Sequence, residues 1–535
     1  MIVGGRQRGI MSIGLRPQSH SYGAGVLAGT LGCLLLFSMA RRVLDHLPLY
    51  DELLHFLAAR GLRDHGMPMI ADGLYERAEL FTWLVAAAIT TLGDSLAAAR
   101  VPSLLASGGL LMLMTIWVTR RVDLVAGVTA ALVLCLLPAT LDLAVFVRFY
   151  TVHALLVLGM AIALYESAAP ARTRRQRIGL GGSAAALLAL ALHFQVTTLI
   201  AFGAVAMGVG AVLLLDHWTV VLRFVRRYPV LTAGGAVVAV VGGSLALSYM
   251  GILDAFGEVP LWASWAANRP QYYLIELGRA APLLWPLSPV AALVAYFANR
   301  RMTTFCVVVL LFALAVHSAA ASKAIRYIYY VLPFLCVIWG CALSGLYALA
   351  SRVEMRSPAL GSRGAAPLAL LVATVVLALS QEGQQAARLV LGRLTTEQTV
   401  TYDGETDWSS AVPALQPLAS SADRVVTSNS MKALYYFGRY DYELSTSIVL
   451  ETSTGKDFGL DERTGRQAIG TAQSTAQVLA MPGRTLVILE EEKIDNPVGA
   501  PADAVKTIAA RCAALVVPAA AGIRAWTCPA NGPTR

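Results

Sequence analysis

The chain has 535 residues, of which 57% are hydrophobic and 14% charged, and its formal net charge is +9. A soluble globular domain carries about 25% charged residues, so this chain has too little polar surface to cover a soluble core of its size. The composition excludes disordered, collagenous and disulfide-scaffold proteins and indicates a polytopic membrane protein with one soluble appendage. The charges lie in short clusters between apolar runs, a pattern typical of membrane topology and not of a nucleic-acid-binding face.

Eleven apolar runs are long enough to be membrane-spanning helices, each of which needs about 20 mostly apolar residues. The predicted spans are 22–40, 101–119, 124–141, 149–165, 178–195, 198–215, 229–250, 280–298, 302–321, 327–350 and 364–380. The apolar segment 80–92 is too short to cross a bilayer comfortably, so we predict a re-entrant or interfacial helix there. The first external loop then extends from residue 42 to residue 99 and is long enough to hold a site.

Arginine clusters predict the orientation, since the cytoplasmic loops of membrane proteins carry an excess of Lys and Arg. Every second loop is basic, from the segment before the first helix to the loop after the tenth. Arg41 and Arg42, just after the first helix, run against this scheme and are outnumbered by the other clusters. We therefore expect a cytoplasmic N-terminus, a retained first helix, and residues 381–535 outside the inner membrane of a bacterium.

Two adjacent carboxylates, Asp51 and Glu52, follow the first helix in the predicted external loop. Adjacent side chains point to different faces of a helix or strand, so both cannot be directed at one atom. One can serve as a base while the other is held by hydrogen bonds or a cation. The alternative is a solvated helix N-terminus, where acidic side chains interact favourably with the helix dipole.

A second polar group precedes the short apolar segment and consists of Tyr75, Glu76 and Arg77, with Glu79 beyond. Arg77 lies where a lipid phosphate can be reached from the membrane surface. The alternative is an arginine that extends to lipid headgroups without a further role.

Two further groups lie at helix mouths on the same predicted side. They are Arg148 with Tyr150, and Lys323 with Arg326 and Tyr327. Positively charged residues are unusual on the external side of a membrane protein, so their presence there implies an anionic partner. Polar residues at membrane depth or at helix mouths are costly and are functional candidates by default. Arginine offers a planar fork that suits phosphate, and lysine adds a point charge. A local ion pair, an aromatic belt or headgroup contacts are the alternatives.

The tail, residues 381–535, lacks the long apolar runs of the rest. Three β-rich runs, at 424–427, 485–489 and 514–517, and helical stretches near 408–419 and 502–513 predict an α/β domain with a partly parallel sheet. We find no phosphate loop, metal-ligand spacing or Ser-His-Asp order in it, and expect it to pack on the membrane part and shape acceptor access. Cys512 and Cys528 are the only cysteines of the tail. An isolated pair in an oxidising compartment predicts a disulfide, with two unpaired thiols as the alternative.

Taken together, these motifs resemble the C-type (GT-C) glycosyltransferases that take sugar from a polyprenyl phosphate, and are most similar to the lipid A aminoarabinose transferase and protein O-mannosyltransferase group. The matching segments, within residues 20–350, are Asp51-Glu52, Tyr75-Glu76-Arg77-Ala78 followed by Trp83, Ala99-Arg100-Val101-Pro102-Ser103, Arg148-Phe149-Tyr150, and Lys323 with Arg326-Tyr327 and Pro333. Two positions depart from the family pattern, because Arg77 replaces a lysine and Ala78 replaces a proline.

The resemblance implies a fold of about 11 transmembrane helices, with a glycosyltransferase domain at 1–380 and an extracytoplasmic α/β domain at 381–535. It implies a hexosyl- or pentosyltransferase of the cell envelope that inverts the anomeric carbon, with Asp51 as base and Glu52 orienting it or contacting the sugar. The implied donor-phosphate ligands are Arg77, Arg148, Tyr150, Lys323 and Arg326. Weaker candidates for substrate contacts are His55, Tyr75, Glu76, Glu79 and Tyr327.

The implied partners are a polyprenyl-phosphate sugar and an extracytoplasmic glycan, glycolipid or protein acceptor. No cofactor is assigned, although a divalent ion at Asp51 and Glu52 has a precedent in relatives of this fold. A secondary transporter or flippase is the first alternative function, and it predicts internal repeats and charges near the middle of the membrane. A non-catalytic binding subunit is the second, and it predicts that Asp51→Asn has no effect.

Overall fold

The structure is a computed structural model that describes residues 20–249, 269–356, 380–391, 406–452, 457–496 and 499–529. Of the predicted eleventh span, 364–380, only Ser380 lies within these ranges. We refer to the described residues 20–356 as the helical part and to those from 406 to 529 as the sheet part.

The helical part consists almost entirely of α-helices, with a two-stranded hairpin after the second helix. The helices are α1 (His20–Ala40), α2 (Tyr50–His65), α3 (Glu79–Leu92), α4 (Leu96–Arg121), α5 (Leu124–Leu136), α6 (Pro138–Ala144), α7 (Tyr150–Ser167), α8 (Arg174–Phe194), α9 (Thr198–Arg227), α10 (Pro229–Tyr249), α11 (Tyr272–Ala280), α12 (Ser288–Ala298), α13 (Arg300–Ala319) and α14 (Leu332–Arg356). A 3₁₀ turn, Ile325–Val331, precedes α14. The hairpin pairs β1 (Met69–Ile70) with β2 (Gly73–Leu74).

Seven helices of the described residues are long and apolar enough to cross a membrane, or eight if α5 and α6, which are bent by 69° to each other, form one span. The chain is thus a polytopic helical membrane protein, but the count of eleven spans is not confirmed. The predicted span 280–298 contains only the 11-residue helix α12, because Pro282 and Pro286 interrupt the run by removing amide donors and clashing with the preceding turn. Segment 80–92 forms the short apolar helix α3.

The spanning helices pack in close pairs, among them α1 with α4, α7 with α8 and α5 with α14. Small residues allow this approach, as in other membrane helix pairs. A Cβ added to Gly340 in α14 would lie 2.4 Å from the carbonyl oxygen of Ala126 in α5. The resulting core is continuous through the helical part and reaches the start of α2.

The sheet part is a seven-stranded mixed sheet with helices on both faces. Its strands are β3 (Arg424–Thr427), β4 (Tyr442–Leu444), β5 (Phe458–Asp461), β6 (Arg466–Ile469), β7 (Thr485–Glu490), β8 (Ala513–Leu515) and β9 (Ile523–Cys528), in the order β5-β6-β4-β3-β7-β9-β8. Strands β6, β4, β3 and β7 are parallel, and the remaining pairs are antiparallel. Strands β3 and β7 coincide with the first two β-rich runs of the tail, and β8 overlaps the start of the third.

Helices cover the two faces of this sheet over separate apolar clusters. They are α16 (Val412–Ser421), α17 (Ser430–Phe437), α18 (Thr446–Thr452), α19 (Ala472–Ala480) and α20 (Ala502–Arg511), and α15 (Gln381–Val390) precedes the sheet part. A disulfide joins Cys512, at the end of α20, to Cys528, the last residue of β9. It links the end of α20 to β9, the strand next to the edge strand β8.

The β1–β2 hairpin joins the two parts. The amide of Asp72 donates a hydrogen bond of 2.9 Å to the carbonyl oxygen of Thr464, and the Asp72 carboxylate lies 2.9 Å from Nε of Arg466. The backbones approach so closely that a Cβ on Gly73 would lie 2.6 Å from the amide nitrogen of Gly465, whose φ of +67° also favours glycine. The turn of the hairpin is therefore held against the sheet part.

Candidate active site

Helix α2 begins at the boundary between the two parts and carries both acidic residues in its first turn. The Glu52 carboxylate accepts a hydrogen bond of 3.2 Å from the amide of Leu49, just before the helix. Asp51, one residue earlier, points to another side, as the helix geometry requires. The two carboxylates consequently have different surroundings.

Glu52 is completely buried. Its Oε1 lies 3.0 Å from Nε of Arg100 in α4, and its Oε2 lies 2.7 Å from Nη2 of the same residue. The amide of Val147 donates a further hydrogen bond of 3.0 Å to Oε1. Burial raises the pKa of Glu52, but the Arg100 guanidinium and the Val147 amide hold it below the ordinary value. Glu52 thus ties α2 to α4 and to the loop that carries Arg148.

Asp51 is 28% exposed and is surrounded by cations. Its Oδ1 lies 3.6 Å from Nη2 of Arg148, before α7, and its Oδ2 lies 3.3 Å from Nη2 of Arg326, in the 3₁₀ turn. Burial raises the pKa of Asp51. The opposing effect of the guanidinium groups is larger and holds the pKa below the ordinary value; the contributing residues are Arg148, Arg326, Arg77 and Arg463. Asp51 is therefore ionised at neutral pH.

The two arginines paired with Asp51 have hydrogen-bonding capacity left over. Arg148 is 4% exposed, and its Nη1 donates a hydrogen bond of 3.0 Å to the hydroxyl of Tyr75. The Nε atoms of Arg148 and Arg326 are both buried, and neither has a hydrogen-bond partner within the described ranges. Buried donors are normally paired, and a guanidinium fork fits a phosphate. The arrangement is suited to binding an anion with several oxygens.

The main cavity, with a volume of about 1020 Å³, lies between the helical part and the sheet part and has Asp51 in its wall. The helical part contributes Tyr50, Asp51, Leu54, Leu74, Tyr75, Glu76, Arg77, Arg148, Arg326 and Tyr327. The sheet part contributes Ser428, Glu443, Ser445, Ser447, Ile448, Glu451, Thr452, Asp461, Glu462, Arg463, Glu492, Lys493, Asn496 and Gly499. The arginines and the sheet part therefore face one space.

A second cavity of about 490 Å³ adjoins the first at Glu76, Arg77 and Tyr327, which line both. Its other walls come from the junction of α8 with α9 and from the end of α13. They include the apolar side chains of Leu192, Phe194, Val196 and Ile200 and the polar side chains of His193, Gln195, Thr197, His317 and Ser322. Arg77 can be reached from both cavities.

Several sequence candidates do not line either of these two cavities. His55 is fully buried, where its Nδ1 lies 3.0 Å from the Thr82 hydroxyl and its ring contacts Tyr75. Burial, reinforced by the nearby arginines, lowers the pKa of His55 well below its ordinary value, so the ring is neutral and supports Tyr75. Tyr150 and Lys323 are also buried without lining either cavity, and Glu79 is exposed at the start of α3.

The departure from the family pattern at Ala78 has a conformational basis. Ala78 has φ +51° and ψ +51°, in the left-handed region, immediately before α3. Proline is locked near φ −65° and cannot adopt this conformation. The turn that presents Arg77 to the cavities therefore differs from one that contains the proline.

Four residues at or beside the site were not assigned a role from the sequence. Arg100 lies in a matched motif near the start of an apolar helix, and a charge in that place is a signal for a buried partner. The others come from the sheet part. Arg463 and Lys493 lie over the ring of Tyr50, 5.6 Å and 5.5 Å from its centroid, and Glu443 lines the main cavity. No motif marks these three, because their positions depend on the strand order.

The acidic pair does not fit a shared divalent ion. Within the described ranges, no group of three or more His, Cys, Asp or Glu side chains can hold a metal ion. Glu52 is paired with Arg100 and points away from Asp51. The guanidinium groups around Asp51 would repel a metal cation. A hard divalent ion requires several oxygen ligands that converge, and these two carboxylates do not supply them.

No protein-family model and no curated protein sequence matches the chain, whereas several solved structures are similar to it. One is ArnT from Cupriavidus metallidurans bound to undecaprenyl phosphate, with a TM-score of 0.60 and 15% identity over 96% of this chain and 99% of that one. The same protein in the apo state gives 0.57 and 16% identity over 95% and 98%.

A second similar protein is the archaeal oligosaccharyltransferase AglB from Archaeoglobus fulgidus, in complex with an inhibitory peptide and a dolichol-phosphate. It has a TM-score of 0.52 and 11% identity over 88% of this chain and 69% of that one. These proteins share the GT-C fold, so the resemblance drawn from the sequence motifs is confirmed at the level of the fold. Because a fold hosts more than one function, the activity has to be argued from the site.

Proposed function

We propose that the chain is an integral-membrane glycosyltransferase that moves a sugar from a polyprenyl-phosphate donor to an extracytoplasmic acceptor. The observation that carries this proposal is the pairing of one ionised carboxylate, Asp51, with two arginines that keep buried Nε donors unpaired in a cavity wall. Two of the similar structures, ArnT bound to undecaprenyl phosphate and AglB in complex with a dolichol-phosphate, support a lipid phosphate as the anion.

In the proposed reaction, the arginines neutralise the phosphate of the donor. A phosphate is already a fair leaving group, so breaking its bond to the anomeric carbon requires charge stabilisation more than a proton. Preorganised guanidinium groups provide that stabilisation where the negative charge develops. Arg148 and Arg326 would bind the phosphate oxygens, and Arg77 would add charge from the junction of the two cavities.

Asp51 is the proposed base. As the acceptor oxygen forms its bond to the anomeric carbon, the bond to the phosphate oxygen breaks and the hydroxyl proton passes to the Asp51 carboxylate. Polyprenyl phosphate leaves, and direct attack inverts the anomeric configuration. When the phosphate shares the arginines, its negative charge raises the pKa of Asp51, which makes the carboxylate a better base.

Glu52 is proposed as a positioning residue. Its carboxylate connects the start of α2 to Arg100 and to the amide before Arg148, so it fixes the base and a phosphate ligand relative to each other. A direct contact of Glu52 with the sugar does not fit its burial. The smaller cavity, with its apolar side chains, is proposed to receive the lipid end of the donor.

We further propose the topology that the arginine clusters predict. The N-terminus would lie in the cytoplasm of a bacterium, a transmembrane glycosyltransferase domain would comprise residues 1–380, and a periplasmic α/β domain would comprise residues 381–535. This arrangement places the main cavity on the external side. Nucleotide sugars are not available there, which is why the donor has to be linked to a lipid.

The proposal is tested by comparing the glycolipids and glycans of cells that express the wild type, Asp51→Asn or Asp64→Asn, using mass spectrometry. Asp64 is a matched control, because it lies in the same helix, pairs with Arg63 and is about half exposed. We expect a glycan or glycolipid that is present with the wild type and with Asp64→Asn, and absent with Asp51→Asn. Equal product with Asp51→Asn would exclude Asp51 as the base.

A further inference from the structure

The wall of the main cavity opposite the arginines is the carboxyl edge of the parallel strands. Ser428 follows β3, Ser445 follows β4 and Lys493 lies three residues after β7, and all three line the cavity. From β3 the chain goes to β4 and β6 on one side and then returns to β7 on the other. In open α/β sheets, ligands bind outside the carboxyl ends of the strands at such a reversal of order.

Glu443, the middle residue of β4, supplies an unsatisfied group on this wall. It is 4% exposed and lines the cavity, and its Oε2 makes no hydrogen bond of ordinary geometry to the part of the chain that the structure describes. Burial and the neighbouring Asp461 raise its pKa against the opposing influence of the Ser430 hydroxyl, Arg463 and Lys493. A ligand hydroxyl is the natural partner for such an oxygen, because a buried polar atom without a partner is costly.

The charge on this wall differs from that on the arginine side. Five carboxylates and two cations line it. The carboxylates are those of Glu443, Glu451, Asp461, Glu462 and Glu492, and the cations are Arg463 and Lys493. Serine and threonine hydroxyls lie among them. The surface therefore repels an anionic group and offers hydrogen bonds to hydroxyl or amino groups, while the arginines opposite attract phosphate.

The wall is also held in place relative to Asp51. Tyr50, the residue before it, has Arg463 and Lys493 over its ring. These cation–π contacts join the start of α2 to the ends of β5 and β7. A molecule on the wall would thus present its groups toward the base.

We propose that the carboxyl edge of this sheet is the acceptor subsite, and that it takes a hydroxyl-rich saccharide without net negative charge, one hydroxyl of which donates a hydrogen bond to Glu443. The inference rests on the proposed function, since it assigns the second substrate of that reaction. The cavity volume, about 1020 Å³, is at the upper end of the usual range for small-molecule pockets, about 300–1,000 Å³. A saccharide of more than one residue is thus the expected size.

The test uses the full-length protein, purified in detergent, and three probes. These are an array of neutral, amino-sugar and uronic-acid oligosaccharides, an array of Ser/Thr-containing peptides, and undecaprenyl phosphate in solution. Wild type is compared with Glu443→Gln and with Glu491→Gln, a control carboxylate after β7 that is half exposed and pairs with Arg524 outside the cavity. A melting curve of each variant establishes that it is folded.

We expect the wild type to bind neutral or amino-sugar oligosaccharides in preference to uronic-acid ones. Glu443→Gln should weaken this binding at least about tenfold, with undecaprenyl phosphate affinity and the Glu491→Gln control unchanged. If Glu443→Gln does not fold, Ser447→Trp, which adds bulk to the same wall, should give the same selective loss.

If the wild type binds undecaprenyl phosphate, three results would still overturn the assignment of the acceptor subsite. They are saccharide binding that is absent or independent of the wall variants, a preference for uronic acids, and binding of peptides alone that depends on Glu443. Failure of wild type to bind undecaprenyl phosphate would instead remove the proposed function, and the acceptor subsite with it.

Discussion

The carboxylate of Asp51 lies 3.3 Å from the guanidinium of Arg326 and 3.6 Å from that of Arg148. The proposed base and the proposed phosphate ligands are therefore paired with each other. A donor phosphate has to share or displace this carboxylate, because both anions use the same cations. Removing the carboxylate should therefore not weaken donor binding, whereas removing either arginine should weaken it.

Asp51→Asn is expected to bind undecaprenyl phosphate at least as tightly as wild type, although it loses transfer. The neutral amide no longer competes for Arg148 and Arg326, and it no longer repels the phosphate. Native mass spectrometry or a fluorescence titration of the purified protein measures this affinity. A marked loss of affinity in Asp51→Asn would show that the carboxylate holds the donor site together instead.

Arg326→Ala is expected to weaken undecaprenyl phosphate binding by about 2 kcal/mol, or roughly 30-fold, because a charge-assisted contact is lost. Arg279→Ala serves as the control, since that arginine is mostly exposed and pairs only with Glu276 on its own helix among the described residues. The same titration applies to both. Equal affinity of Arg326→Ala and wild type would remove Arg326 from the site.

The buried pair of Glu52 and Arg100 is expected to determine stability. Glu52→Leu or Arg100→Leu leaves one buried charge without its partner, at a cost of about 3–5 kcal/mol. The double variant should be less destabilised than the sum of the two singles. Thermal unfolding in detergent measures all three variants. Additive losses would contradict a direct coupling between the two side chains.

Glu490, at the end of β7, is expected to make stability depend on pH. Burial raises its pKa, but Lys493 and Lys432, with hydrogen bonds from Thr406 and Asn429, lower it to about 2. The pKa of Glu490 in the folded chain is therefore below its pKa in the unfolded chain, which is near 4.5. The ionised carboxylate stabilises the fold at pH values above 4.5, and this stabilisation is lost as the pH falls toward 2.

Unfolding of wild type and Glu490→Gln is therefore compared between pH 7 and pH 3. The stability difference should be constant above about pH 5 and should shrink below about pH 4.5. Asp503→Asn is a control at an exposed acid in the first turn of α20. A difference that stays constant down to pH 3 would mean that Glu490 titrates normally in the folded chain.

The sequence predicts the part of the site that depends on local order along the chain. Asp51 and Glu52 had to point apart because they are neighbours on a helix, and the structure places one in the cavity and the other against Arg100. The arginines at helix mouths were recognisable because charge is costly near an apolar run. Their convergence within 3.3–3.6 Å of one carboxylate is a tertiary property.

Other features depend on packing that no local pattern encodes. Lys323 and Tyr150 were expected at the phosphate because they share motifs with Arg326 and Arg148. Both side chains are buried and line neither cavity, although the Tyr150 ring lies 6.3 Å from that of Tyr327, which lines both. Glu443 and Lys493 carry no motif, and only the strand order brings them opposite Asp51. The count of spans was not confirmed, partly because the prolines in 280–298 break a run that is apolar in composition.

A structure of the protein in complex with undecaprenyl phosphate tests the central claim most directly. The account predicts the phosphate in the main cavity, within about 3 Å of the Arg148 and Arg326 guanidinium groups, with the Asp51 carboxylate directed toward the sheet part. A phosphate bound away from these arginines, with both Asp51 ion pairs unchanged, would contradict it.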